Sequence, residues 1–135
     1  MAQHNDLGRL GEDAAVQYLL ERHYHILARN WRAHPLEVDI IAEEYGEVVF
    51  IEVKTRSDDF FADPESAVDH YKQENLSLAA LSYLRQKQLR ERPFRFDIIT
   101  LVGEESPFKI KHFVNAFPLR RPSQHNSRGL ENIFF

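Results

Sequence analysis

Two apolar, β-branched runs, residues 36–42 (LEVDIIA) and 48–55 (VVFIEVKT), stand either side of the polar stretch Glu43-Glu44-Tyr45-Gly46-Glu47. Such residues favour pleated strands, and a short polar link containing glycine suits a tight turn between two of them. The pair predicts a β-hairpin. Side chains alternate along a strand, so Glu37, Asp39 and Ile41 share one face of the first strand, and Val48, Phe50, Glu52 and Lys54 share one face of the second. With the turn centred on Tyr45-Gly46, facing residues have numbers that sum to 91, which sets Asp39 opposite Glu52 and Glu37 opposite Lys54. Two carboxylates facing each other across an antiparallel pair have Cβ atoms about 4.5–5.5 Å apart and destabilise the sheet unless something lies between them.

The residues leave two readings of this hairpin open. In one, the charges mark a solvated face and Lys54 pairs with Glu37 or Glu52. In the other, Asp39, Glu52 and the backbone carbonyl of Val53 form a partial cage for Mg²⁺ or Mn²⁺, and Lys54 points at the same water or phosphate. The second strand is apolar on its other face as well, through Val49, Ile51 and Val53, so it reads as buried on both sides. Buried carboxylates and ammonium groups need partners or a metal.

Around the hairpin the pattern predicts a helix over 7–22, with Leu7, Leu10, Ala14, Tyr18 and Leu19 at helical steps after Asn5 and Asp6, either of which suits a cap. A short strand is expected at 25–31, ending before His34-Pro35. A polar loop at 57–64 contains Phe60 and Phe61, and a long helix is expected over 65–90, with Pro93 just past its end. Two more strands are predicted at 94–102 and 108–113 around Gly103. The expected organisation is a single domain over 1–117 and a flexible basic tail over 118–135, where periodicity fades.

Composition narrows the chemistry. The 135 residues include no cysteine, which removes disulfides, thiolate metal sites and cysteine nucleophiles. No apolar run approaches the length of a membrane span and the N-terminus has no signal-peptide core, so a cytoplasmic protein with no membrane partner is expected. The formal charge is −4, so any attraction to nucleic acid must be local or metal-mediated. The histidines are scattered without zinc-ligand spacing, and no nucleophile elbow, P-loop or dinucleotide fingerprint occurs.

Val38-Asp39, thirteen residues before Glu52-Val53-Lys54, resembles the split Asp…(Asp/Glu)-x-Lys signature, PD-(D/E)XK, of restriction-endonuclease-like nucleases. More closely, the chain resembles the uncharacterised bacterial family UPF0102, named after YraN and similar to archaeal Holliday-junction resolvases. The matching segments are Gly8-Arg9-Leu10-Gly11-Glu12 with Ala15, Arg29-Asn30, Glu37 to Ala42, Val49 to Arg56, Ala67-Val68, Lys72-Gln73 and Arg95-Phe96-Asp97. Two departures stand out: Leu36 occupies a usual glycine position, and Glu74-Asn75 replace residues that are often basic.

The resemblance implies an α/β fold with a mixed central sheet of about five strands flanked by helices. It implies a metal-dependent endonuclease acting on structured or branched DNA, with Asp39 and Glu52 as ligands and Lys54 as the catalytic lysine. It matches Glu12 to an acidic residue of the first helix that approaches the same metal; the helix pattern alone equally allows an exposed glutamate. Glu37 is left between a second cation and a pairing with Lys54. Candidate nucleic-acid contacts are Lys72, Arg56, Arg85, Lys87, Arg90 and Arg95, the last four within a local basic run. DNA is the expected partner, RNA the nearest rival, and a two-fold homodimer is a family-level expectation. A catalytically silent nucleic-acid-binding or adaptor module is the competing reading.

Overall fold

The computed structural model describes residues 3–58 and 67–121. Its elements are α1 (Gln3–Glu21), β1 (His25–Ala33), β2 (Leu36–Glu44), β3 (Glu47–Arg56), α2 (His70–Gln86), β4 (Phe94–Val102) and β5 (Lys109–Phe117). The five strands form one sheet in sequence order. All neighbours are antiparallel except β3 and β4, which run parallel. The α/β architecture expected from the sequence is what the chain adopts.

The sheet is buried on both faces because β2, β3 and β4 carry apolar residues on both. Val48, Phe50, Phe96 and Ile98 pack with Leu76, Ala80, Tyr83 and Leu84 of α2. Val49, Ile51, Ile99 and Leu101 pack with Ala15 and Leu19 of α1 on the opposite face. A Cβ on Gly11 would fall 2.0 Å from the Thr55 hydroxyl, so only glycine lets α1 sit this close to the end of β3.

Both helices stop by the same device. Tyr24 donates its N–H to Leu19 and His23 to Leu20, with His23 at φ 69°. Leu89 donates to Leu84 and Gln88 to Arg85, with Gln88 at φ 59°. These are Schellman closures, each locked by the hydrophobic residue that follows the left-handed one. The second ends α2 at Gln86, four residues short of the expected 90, because the chain must turn there to enter β4. At its start, α2 is capped by Asp69, whose carboxylate accepts the N–H of Lys72 at 2.8 Å.

Strand β5 runs to Phe117, beyond the expected 113, through an irregularity where Asn115 has φ 55° and gives its N–H to the Asp97 side chain. Past it, Arg120 is tied to α2: its N–H reaches Ser77 Oγ and its Nε reaches Gln73 Oε1, both at 2.9 Å. The start of the expected tail is therefore docked, and residues 122–135 lie outside the described residues. So do Phe60, Phe61 and the predicted start of the second helix at 65.

Candidate metal and phosphate site

Strands β2 and β3 pair from Glu44–Glu47 back to Ile40–Ile51, every pair in the register set by the Tyr45-Gly46 turn. The recorded pairing stops one step before Asp39 and Glu52. Asp39 instead takes a backbone donor with its side chain: Oδ2 accepts the Val53 N–H at 2.9 Å. The carboxylates thus stand where the two strands leave off pairing.

Glu52 is only 4% exposed. Its Oε2 lies 3.4 Å from Lys54 Nζ and 3.7 Å from Lys72 Nζ, while its Oε1 is buried with no hydrogen-bond partner. An unpartnered buried carboxylate oxygen is costly, so it marks a place where a cation or donor belongs. Burial, then the neighbouring Glu52, push the Asp39 carboxyl up to about 7; the Val53 N–H and the Lys72 ammonium oppose them only in part. One of the two acids therefore retains a proton near neutrality in the metal-free protein, as two close carboxylates commonly do. Hard divalent cations favour such oxygen donors, and the pair fits one. Among the described residues, no group of three or more Asp, Glu or His side chains is placed to hold a metal.

Several expected members stand elsewhere. Glu12 rides on α1, which covers the opposite face of the sheet, and its carboxylate bonds to Arg29 at 3.2 Å and Asn30 at 2.9 Å. Its hydrogen-bond partners are thus residues of β1 rather than Asp39 or Glu52. Glu37 lies 3.6 Å from Arg32, so the expected pairing with Lys54 gives way to the Lys54–Glu52 contact. Leu36 is buried in the core, and the Glu74 carboxylate is 3.7 Å from His70. Lys72 joins the acids directly, a stronger placement than its sequence position suggested. Arg56 follows Lys54 by two residues along β3, and its guanidinium bonds to the Thr55 carbonyl.

Arg85, Lys87 and Arg90 lie at the far end of α2, with Lys87 6.0 Å from the centre of the Tyr83 ring. Arg95 does not belong with them. Its side chain is 10% exposed and bonds to Asp97, Glu47, Glu44 and the Tyr24 hydroxyl. Burial opposes its charge, but the bonds to Asp97, Glu47 and Glu44 outweigh that and hold the guanidinium ionised. It is a core cation of the α1 face rather than a phosphate contact.

Sequence reasoning passed over the rest of that network. His112 Nε2 is 2.7 Å from Asp97 and its Nδ1 is 3.2 Å from the Tyr18 hydroxyl. Burial would raise the Asp97 carboxyl, yet bonds with His112, Arg95 and the Asn115 N–H outweigh it and hold it below the usual carboxylate range. A signal was available: Arg95 and Asp97 occupy one face of a strand whose other residues, Thr100 apart, are apolar, which marks a buried ion pair.

The model of the uncharacterised protein family UPF0102 matches residues 11–101. A UPF0102 protein of Bacteroides thetaiotaomicron is 50% identical over 117 residues, covering 87% of this chain and 96% of that protein. One from Porphyromonas gingivalis is 43% identical over 121 residues, covering 88% and 89%. The UPF0102 protein FP2501 of Flavobacterium psychrophilum is 43% identical over 117 residues, covering 87% and 98%.

Proposed function

This chain belongs to the UPF0102 family, and from the geometry of its own acids we propose that it is a Mg²⁺- or Mn²⁺-dependent endonuclease that hydrolyses phosphodiester bonds in structured or branched DNA, such as a Holliday junction. One observation carries the reading. Glu52 is a buried carboxylate with one oxygen held by two lysines and the other without a partner, beside an Asp39 whose carboxyl is pushed up. That oxygen is where a cation, in place of the proton the two acids retain between them, would bind.

Asp39 and Glu52, with the Val53 carbonyl, would hold the cation; Glu12 is left out of this set because Arg29 and Asn30 engage it. A cation bound there would supply Lewis-acid activation of water and of the scissile phosphate. Lys54, fixed beside Glu52, aligns the attacking water and offers positive charge to the oxygens on which charge develops. Lys72 enters the same space from the first turn of α2 and holds the phosphate against the acids. Attack by water forms one phosphorus–oxygen bond and breaks another, and both lysines stabilise the charge that accumulates between those events. A two-fold homodimer would present one such group to each of the two symmetric strands of a junction.

A second reading has one observation behind it. Among the described residues two acids converge rather than three, which suits a module that binds nucleic acid and cuts nothing. One experiment separates the two. Labelled Holliday junction, flap, single-stranded and linear duplex DNA and a matched RNA are incubated with the protein in Mn²⁺, Mg²⁺ or EDTA, alongside Lys54→Ala and Asp39→Asn. Metal-dependent cleavage that disappears in both variants is expected, with junction or flap DNA cut in preference to RNA. Equal metal-independent binding by all three proteins, with nothing cut, gives the second reading its place.

A further inference from the structure

The hairpin that carries Asp39 and Glu52 at one end presents an aromatic ring at the other. Tyr45 is 99% exposed. It occupies the first central position of a two-residue turn closed by Glu44 and Glu47, with φ 51° for Tyr45 and 79° for Gly46. Positive φ at both central residues is the pattern that favours Asn, Asp or Gly first, since a larger side chain meets a steric penalty there. A fully exposed tyrosine in that position serves neither packing nor the turn. Departures from local preference of this kind concentrate at functional positions.

The turn is also held stiffly. Arg92 donates to the Gly46 carbonyl at 2.9 Å and pairs with Glu43. Arg95 bonds to Glu44 at 3.0 Å and to Glu47 at 2.8 Å. Three acidic side chains and a turn carbonyl are thus fixed by two arginines, and the ring projects from a braced support. Beside it a hollow of about 340 Å³ is lined by Tyr45 and Gly46 together with Arg22, His23, His25 and the braced acids Glu43 and Glu44. A second, of about 580 Å³, carries Arg85, Arg90 and Arg92.

Resting on the nucleic-acid reading above, we infer that Tyr45 is a stacking platform for an unpaired nucleobase, with Arg22, which lines the same hollow, meeting a flanking phosphate. A rigid aromatic face with cations beside it is how proteins bind single strands without reading sequence. Along β2 the ring stands six residues from Asp39, roughly 20 Å at the rise of a strand. Lys87 and Arg90, just past the end of α2, are exposed cations. The substrate feature so selected is an unpaired nucleotide adjoining a duplex arm, as at a junction centre, flap or frayed end. Continuous duplex offers no free base and gains nothing from the ring.

The test measures affinity in EDTA, by fluorescence anisotropy, for a blunt duplex and for the same duplex with an unpaired tail. Wild type is compared with Tyr45→Ala, Tyr45→Asn, Tyr45→Phe and Tyr45→Trp. Asn is comfortable at positive φ, so it keeps the turn while removing the ring. Tyr45→Ala and Tyr45→Asn are expected to weaken binding of the tailed duplex about 5- to 100-fold, the range for loss of one stacked base, and to leave the blunt duplex within about twofold. Tyr45→Phe and Tyr45→Trp stay within about threefold on both. If the wild type binds the tailed duplex and Tyr45→Asn binds it equally, or if Tyr45→Phe loses as much as Tyr45→Ala, the platform is refuted and the nuclease reading stands. If the wild type binds neither DNA nor RNA, the nucleic-acid reading itself falls and takes the platform with it.

Discussion

Asp39 shows how a single side chain links folding to the site. Its carboxyl is pushed up to about 7 by burial and by Glu52, whereas in an unfolded chain it titrates near 3.8. The folded, metal-free protein therefore holds this proton more tightly than the unfolded chain does. Stability contributed by the protonated form is full below about 4 and is lost as the pH rises toward 7. Asp39→Asn removes that loss. Thermal unfolding in EDTA should show the variant gaining on the wild type between pH 5 and pH 8, and a constant difference across that range would refute the assignment. Asp97 has the opposite sign, since its folded carboxyl lies below the usual range. Its contribution is present above about 4 and is lost only as the pH falls further. Asp97→Asn strips Arg95 and His112 of a fully buried partner, and losing one member of a buried pair costs about 3–5 kcal/mol. The low end is expected, because Glu44 and Glu47 still hold Arg95. Denaturant unfolding at pH 7 measures it. This network was hard to read from sequence for a physical reason. Arg95 sits in a run with Arg90 and Arg92, and local charge count says nothing about the strand alternation that turns one of the three inward.

At the level of elements, the hairpin was legible because its information is local. A two-residue turn fixes the register, and period-two alternation fixes the faces, so the pairing down to Ile40–Ile51 follows from Tyr45-Gly46 alone. The destination of Glu12 was not legible, because it depends on β1 presenting Arg29 and Asn30 to α1 across the sheet. The ends of the helices fall between these cases: neither closes on glycine, which is the usual sequence signal. That irregularity makes a prediction. Gln88→Gly relieves a left-handed residue and should stabilise the protein by up to about 1 kcal/mol, read as a rise in unfolding midpoint. At the α1–β3 contact the sign reverses. Gly11→Ala puts a methyl into the Thr55 side chain, and overpacking of this kind typically costs about 1–3 kcal/mol. Were Gly11→Ala neutral, the close seating of α1 on β3 would be wrong.

For the whole molecule, the sheet separates two buried polar groups by face. The α1 side holds Arg95, Asp97 and His112, fully engaged with one another and with tyrosines. The α2 side holds Asp39, Glu52, Lys54 and Lys72, with an oxygen left over. The second is the group the proposed function uses, and it belongs to a chain whose formal charge is −4. General attraction to a polyanion is therefore weak, and the proposed DNA binding would rest on local cations such as Lys72 beside Glu52. Each phosphate neutralised contributes about −0.9 to the slope of log affinity against log salt for duplex DNA. Lys72→Ala, which removes a cation beside Glu52, should flatten that slope by about 0.9. Arg9→Ala, on α1 and already paired with Asp6, should leave it unchanged. Titrations of duplex DNA from 50 to 200 mM salt in EDTA distinguish the two. Equal slopes for Lys72→Ala and wild type would mean that the phosphate does not lie over the acids, and the active-site geometry would have to be abandoned even if the protein binds DNA.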